Sequence, residues 1–132
     1  MLPNPITIFT DGSSRGNPGP GGFGAVIVYN DSQLKVESGK LQVKEIGGRE
    51  EYTTNNRMEL RAAIEALVFV SEKLEASSYP LVAYSDSSYV INGITKWVFG
   101  WKKNNWITSQ KKLVENRDLW EKLLECTQGK SI

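Results

Sequence analysis

The sequence predicts a mixed α/β fold: a three-strand antiparallel meander, a parallel fourth strand and helices packed on the sheet. Three observations carry this expectation. β-rich segments open the chain, separated by a glycine-rich loop and then by a polar turn. A long run with helical period follows them, and a short β-rich run follows that. The remainder shows only helical patterns, which gives the order β-β-β-α-β-α-α-α.

Ile6 to Thr10 is rich in β-formers and predicts a strand that ends at Asp11. Glycines punctuate the chain from Gly12 to Gly22, and this stretch reads as a loop. Phe23 to Tyr29 is apolar and β-branched, the pattern of a strand buried on both faces or nearly so. Asn30, Asp31 and Ser32 predict a turn, and Leu34 to Val43 alternates loosely as a third strand. Ile46 to Thr53 reads as a polar connection. Thr54 or Asn55 then offers a cap for a helix whose Met58, Leu60, Ala62, Ala63, Ile64, Leu67, Val68 and Leu74 recur at helical spacing. Pro80 precedes the fourth strand, Leu81 to Ser85, which ends at Asp86. Ser87 to Ile94 and Trp97 to Lys103 read as two short helices, Asn104 to Glu115 as a polar, basic excursion, and Asn116 to Cys126 as a last helix. The long helix supplies the crossover that a parallel strand pair requires.

The 132 residues fit one domain. Sixteen basic residues against fifteen acidic leave a net charge of +1, so bulk charge announces no nucleic-acid partner; only its distribution could. The absence of histidine excludes a Ser–His–Asp triad, a Cys–His pair and a His-ligated zinc. Any catalysis falls to carboxylates. The lone Cys126 forms no internal disulfide and suits a reducing compartment, with a half-buried structural thiol as its plain reading. No apolar run is long enough to span a membrane and Met1 to Pro5 lacks signal-peptide character, so a cytoplasmic location is expected.

Three acidic residues stand at element ends: Asp11, Asp86 and, near the start of the long helix, Glu59. If the first and fourth strands are parallel neighbours, Asp11 and Asp86 project from the same sheet edge, where ligands of α/β sheets gather. Glu59 could close the triangle. Converging carboxylates need a cation to stay ionised, and an all-oxygen cluster selects Mg²⁺ or Mn²⁺. Two such ions about 4 Å apart suit phosphodiester hydrolysis. Taken singly, each residue has a plainer reading: Asp11 before Gly12 as a turn, Asp86 as a helix cap, Glu59 as a solvated helix residue.

The surrounding residues change that weight. Asp11 sits in Phe9-Thr10-Asp11-Gly12-Ser13-Ser14-Arg15-Gly16-Asn17-Pro18-Gly19-Pro20-Gly21-Gly22, Glu59 in Thr53-Thr54-Asn55-Asn56-Arg57-Met58-Glu59-Leu60, and Asp86 in Tyr84-Ser85-Asp86-Ser87-Ser88-Tyr89. Asn92-Gly93-Ile94-Thr95-Lys96-Trp97, then Gly100-Trp101-Lys102-Lys103, then Trp106, and finally Asn116, Asp118, Leu119 and Trp120 follow. In this order, from about Ile6 to Cys126, the chain resembles type 1 ribonuclease H. The resemblance implies a ribonuclease H-like mixed sheet and a two-metal endonuclease, using Mg²⁺ or Mn²⁺, that hydrolyses the RNA strand of RNA–DNA hybrids. It implies that Asp11, Glu59 and Asp86 are catalytic metal ligands, with Gly12 at the metal. Ser13, Asn17, Asn55, Asn56 and Ser88 would touch the hybrid, Thr54 and Asn116 would grip a DNA phosphate, and Tyr89, Trp97 and Trp101 would form an aromatic wall. Asn and Ser both donate and accept, which suits a 2′-OH. The lysines Lys96, Lys102, Lys103, Lys111 and Lys112, interleaved with Trp97, Trp101 and Trp106, match the family's basic handle. The glycine-rich stretch lacks a Gly-Lys-Ser/Thr ending, which rejects a P-loop.

The resemblance also implies a fifth strand, a loop carrying a histidine, and a helix with a fourth catalytic aspartate. About twenty residues of strand and helix are expected beyond Ile132 on that basis, so the C-terminal strand and helix are expected to be missing. The chain would be a monomer, with a risk of strand-mediated association at an exposed fourth strand. The alternative to a nuclease, impaired or not, is an RNA–DNA hybrid-binding module without turnover.

Overall fold

The computed structural model describes residues 5–30, 40–74, 80–130 and 132. Four strands form one sheet in the order β3-β2-β1-β4, with β1 at Ile6–Ser14, β2 at Gly19–Asn30, β3 at Leu41–Thr53 and β4 at Leu81–Ser85. β1 runs antiparallel to β2, β2 antiparallel to β3, and β4 parallel to β1. The meander and the parallel crossover are thus as expected. The turn residues Asp31 and Ser32, and the third strand's expected start at Leu34, lie outside the described residues.

Two sequence expectations are corrected here. Ile46 to Thr53 is strand, not a polar connection: it pairs with β2 as far as Thr53 opposite Gly19. Its polarity misleads because β3 is an edge strand with most side chains exposed, and its stability comes from the ladder more than from burial. The first strand does not end at Asp11 either. Pairing continues to Ser14 opposite Gly21, because the glycine-rich stretch forms the start of β2 and shortens the loop to residues 15–18.

Helix α1, Asn55–Lys73, crosses between β3 and β4. Thr54 caps it: its hydroxyl accepts from the Arg57 N–H at 3.2 Å, satisfying one of the orphan amides of the first turn. Its Leu60, Ile64, Leu67 and Val70 are buried together with Ile6, Ile8, Ala25, Ile27 and Leu81 from the sheet, which forms the main core. Helix α2, Ser88–Asn92, passes through a wide π-helical turn at Gly93–Trp97 into α3, Val98–Lys103. The two expected short helices are therefore one continuous helical segment. Helix α4, Arg117–Thr127, packs on α1 and buries Trp120, Leu123 and Cys126.

The sheet face away from α1 is open among the described residues. Phe9 and Tyr84 stack on it with centroids 5.3 Å apart, and both are exposed. β4 is an edge strand. No helix among the described residues is long and apolar enough to cross a membrane.

Candidate active site

The sheet register brings two of the acidic positions together. Thr10 pairs with Ser85 across the parallel β1–β4 ladder; Asp11 is the next residue of β1, and Asp86 is the first residue beyond the end of β4. Glu59 arrives from α1 because β1 runs against the helix at Gly12. A Cβ built on Gly12 would stand 2.4 Å from the Met58 carbonyl carbon and 2.6 Å from the Glu59 nitrogen. Only a residue without a side chain allows this approach. Asp11 and Asp86 are exposed and Glu59 is half-buried.

Ser87, which the sequence places as the first residue of the short helix with Asp86 before it as a possible cap, is itself the cap and organises this edge. Its buried hydroxyl donates to Glu59 Oε2 at 2.5 Å and accepts from the Val90 N–H at 3.1 Å, so one side chain both caps α2 and holds Glu59. The Ser87 N–H in turn donates to Ser85 Oγ at 3.1 Å. Asp86 is therefore not the cap; Ser87 is equally a capping residue type, and the helix starts one residue later than its sequence pattern suggests. The hold on Glu59 has no signal in the sequence.

The three carboxylates are neighbours by position. Among the described residues, however, no three His, Cys, Asp or Glu side chains are grouped so as to hold one ion. The expectation of three carboxylates already within reach of a common cation is therefore not met by the side chains as they stand. Like charges repel, and Glu59 takes the Ser87 hydroxyl as its partner. The donor chemistry still fits a hard divalent ion, since every acidic group is a carboxylate and neither sulfur nor imidazole is at hand.

A polar network borders this edge. Asn55 Oδ1 accepts from the Ser14 N–H at 2.5 Å and from Ser14 Oγ at 3.1 Å, while the Asn55 N–H donates to Asn17 Oδ1 at 3.2 Å. The β1–β2 turn is thereby tied to the start of α1, with Asn17 and Asn55 side by side. Ser13 and Ser88 are exposed, and Asn56 is half-buried.

Arg57 joins Thr54 and Asn116. Its N–H donates to Thr54, and its guanidinium donates to Asn116 Oδ1 at 3.2 Å and to both Asp118 oxygens at 3.0 and 2.9 Å. The hydrogen bonds from Arg57 hold the Asp118 carboxyl below its ordinary range, and the same pairing raises Arg57. Asn116, left-handed at φ 60°, also donates to the Tyr89 hydroxyl at 3.1 Å, to which Trp120 Nε1 donates at 3.0 Å. Nothing in the local sequence around Arg57 announces a bridge to residues about sixty positions away.

Tyr89, Trp97, Trp101, Trp106 and Trp120 form a chain of neighbouring rings with centroids 5.2 to 6.5 Å apart. Trp97 and Trp101 line one wall of a groove that continues over Lys96, Lys103, Asn104 and Asn105. Trp106 is buried rather than presented to solvent; it anchors the basic excursion, with Arg117 lying 5.5 Å over its ring. Lys96, Lys102, Lys103, Lys111 and Lys112 are all exposed.

Known proteins are similar to this chain in sequence and in fold. The family model for RNase H matches residues 3–132. Ribonuclease HI of Haemophilus ducreyi is 52% identical over 115 residues, which cover 87% of this chain and 65% of the relative. Ribonuclease HI of Haemophilus influenzae is 49% identical over 131 residues, covering 99% of this chain and 75% of the relative. Among solved structures, LC9-RNase H1, described as a type 1 RNase H with the type 2 active-site motif, superposes with a TM-score of 0.77 at 30% identity. That match covers 98% of this chain and 61% of the other. LC11-RNase H1, solved in complex with RNA/DNA hybrid, gives a TM-score of 0.63 at 25% identity over 95% of this chain and 78% of the other. The chain thus spans about two thirds to three quarters of the length of these curated relatives. A shared fold, a matching family model and half-identical relatives together place the chain in the ribonuclease H family.

Proposed function

We propose that this chain is the hybrid-binding and carboxylate-bearing part of a nuclease that hydrolyses the RNA strand of an RNA–DNA hybrid. The observation that supports the reading is the neighbouring placement of the Asp11, Asp86 and Glu59 positions, by strand register and by the close approach of β1 to α1 at Gly12. The family generally uses divalent metal ions. Asp11, Glu59 and Asp86 would hold Mg²⁺ or Mn²⁺, two ions per site, with the Gly12 main chain beside them. Such ions, when bound, supply an activated water and charge stabilisation at the leaving oxygen.

The protein's own groups do the positioning. Ser87 fixes one Glu59 oxygen, leaving Oε1 free of any other protein hydrogen bond among the described residues. Asn17 and Asn55, joined across the turn, present amide groups suited to a 2′-OH, the group that separates RNA from DNA. Thr54 and Asn116, linked through Arg57, border a place for a phosphate of the DNA strand. Tyr89, Trp97 and Trp101 offer ring faces along the same strand, and the exposed lysines beyond them add phosphate partners.

The test incubates the chain with a labelled RNA–DNA hybrid and Mg²⁺ or Mn²⁺. Cleavage of the RNA strand that EDTA stops and Asp11→Asn abolishes is the expected result, with duplex DNA left intact. Hybrid binding without any cleavage would overturn hydrolysis by this chain in favour of a binding module.

A further inference from the structure

We propose that Arg15 and Arg49 form a second anion site, on the β3 side of the sheet, that holds a backbone phosphate of the bound nucleic acid. The ligand class rests on the hybrid reading above; the site itself rests on the sheet.

The register builds the site. Ser13 of β1 pairs with Gly22 of β2, and Gly22 pairs with Arg49 of β3. Two residues along, on the same face, Asp11 pairs with Gly24 and Gly24 with Gly47. Residues paired across a ladder share a face, so Asp11, Ser13 and Arg49 lie on one surface whose middle strand contributes only glycine. A Cβ on Gly24 would find no atom closer than 3.8 Å, and one on Gly47 none closer than 3.5 Å, so backbone floors a shallow trough. Beside it, Ser13, Ser14, Arg15, Gly21, Gly22 and Arg49 line a depression of about 540 Å³. From Asp11, the Arg49 position is about 7 Å along the strands and about 10 Å across them. That is within a nucleotide or two of a phosphate held at the carboxylate edge.

The pairing of the arginines supports the trough as a binding surface. The chain has five arginines. Arg57 pairs with Asp118, Arg61 with Glu50 and Glu65, and Arg117 with Glu121. Arg15 and Arg49 are exposed and, among the described residues, make no ion pair, although Glu51 stands two positions from Arg49 on the same strand. The Arg15 backbone is pinned, its N–H donating to the Pro20 carbonyl at 2.7 Å, so its side chain leaves from a fixed turn. Two unpaired guanidiniums over a backbone floor suit a phosphate, which they can bind by bidentate hydrogen bonds. β3 and β4 are opposite edges of the sheet, so Arg49 and the Asp86 end of β4 stand on opposite sides of Asp11.

The experiment uses the whole chain with Arg15→Ala/Arg49→Ala, and with Arg15→Lys/Arg49→Lys. Hybrid affinity is measured by fluorescence anisotropy across a salt series, without divalent ions. In parallel, arginine Nε–Hε NMR signals are followed during titration with inorganic phosphate. The double alanine variant is expected to bind about tenfold more weakly, with the slope of log K against log salt reduced by about 0.9, the value for one phosphate left unneutralised. The lysine variant is expected to keep most of the slope while losing affinity. Phosphate is expected to shift Arg15 and Arg49 and not Arg61, which is paired with Glu50 and Glu65. Unchanged affinity and slope in the alanine variant, with the wild type binding hybrid, would overturn the site and leave the nuclease reading standing. A wild type that does not bind hybrid, but whose two arginines respond to phosphate, would overturn that reading and retain the anion site. No response in either arm would overturn both.

Discussion

Gly93 packs directly against the indole of Trp120: a Cβ at this position would stand 1.9 Å from Cη2 and 2.5 Å from Cζ2 of the ring. The close packing seats the π-helical turn on α4 and presents Trp97 and Trp101 in a fixed frame. Gly93→Ala is expected to cost about 1–3 kcal/mol by overpacking, since Trp120 is fully buried and cannot give way. Urea unfolding of the two proteins checks this; equal midpoints would show that the turn relaxes freely.

Gly12→Ala should act on the carboxylate edge directly. The added methyl meets backbone of α1, not the end of a flexible side chain, so β1 and α1 must part. The expected result is a stability decrease of about 1–3 kcal/mol or more and a greater reduction in hybrid cleavage than in hybrid binding. Parallel activity and anisotropy measurements separate the two.

Ser87→Ala removes the α2 cap and the Glu59 partner together. Loss of the cap predicts a stability decrease of about 0.5–2 kcal/mol. The freed Glu59 predicts a higher Mg²⁺ concentration for half-maximal cleavage. Ser87→Thr should restore both in part; a metal dependence identical in all three proteins would deny Ser87 its positioning role.

The Arg57–Asp118 pair predicts a specific acid response. Asp118 has a folded pKa below its unfolded value of about 3.9, so its contribution is complete above that value and is lost as pH falls through the folded pKa. Asp118 is 65% exposed, so the pair should be worth only about 0.2–1 kcal/mol and weaken in salt. Asp118→Asn should flatten the fall in stability below about pH 4 by that amount while leaving the neutral-to-alkaline curve parallel to the wild type.

Lys102 and Lys103 lie exposed in the last turn of α3. Changing both to Ala is expected to weaken hybrid binding and to lower the salt slope by about 0.9 for each phosphate that the variant no longer neutralises. A slope that does not move would remove these lysines from the binding surface.

Local chemistry made much of this protein legible from sequence. The β-forming runs before Asp11 and Asp86, the helical period after Thr54 and the clustering of lysines with tryptophans each depend on neighbours in the chain. Strand type, helix cap and basic excursion follow from such neighbours. What stayed hidden depends on partners far away in sequence. Ile46 to Thr53 became a strand because β2 offered it a ladder, whatever its own polarity. Trp106 turned inward because Trp101 and Arg117 enclose it. Arg57 reached Asn116 and Asp118, and Arg49 came level with Ser13, only through helix packing and strand register. Sequence patterns determined which residues could bear the chemistry. The tertiary structure decided which of them face one another, because register and crossover fix distances that no local spacing encodes.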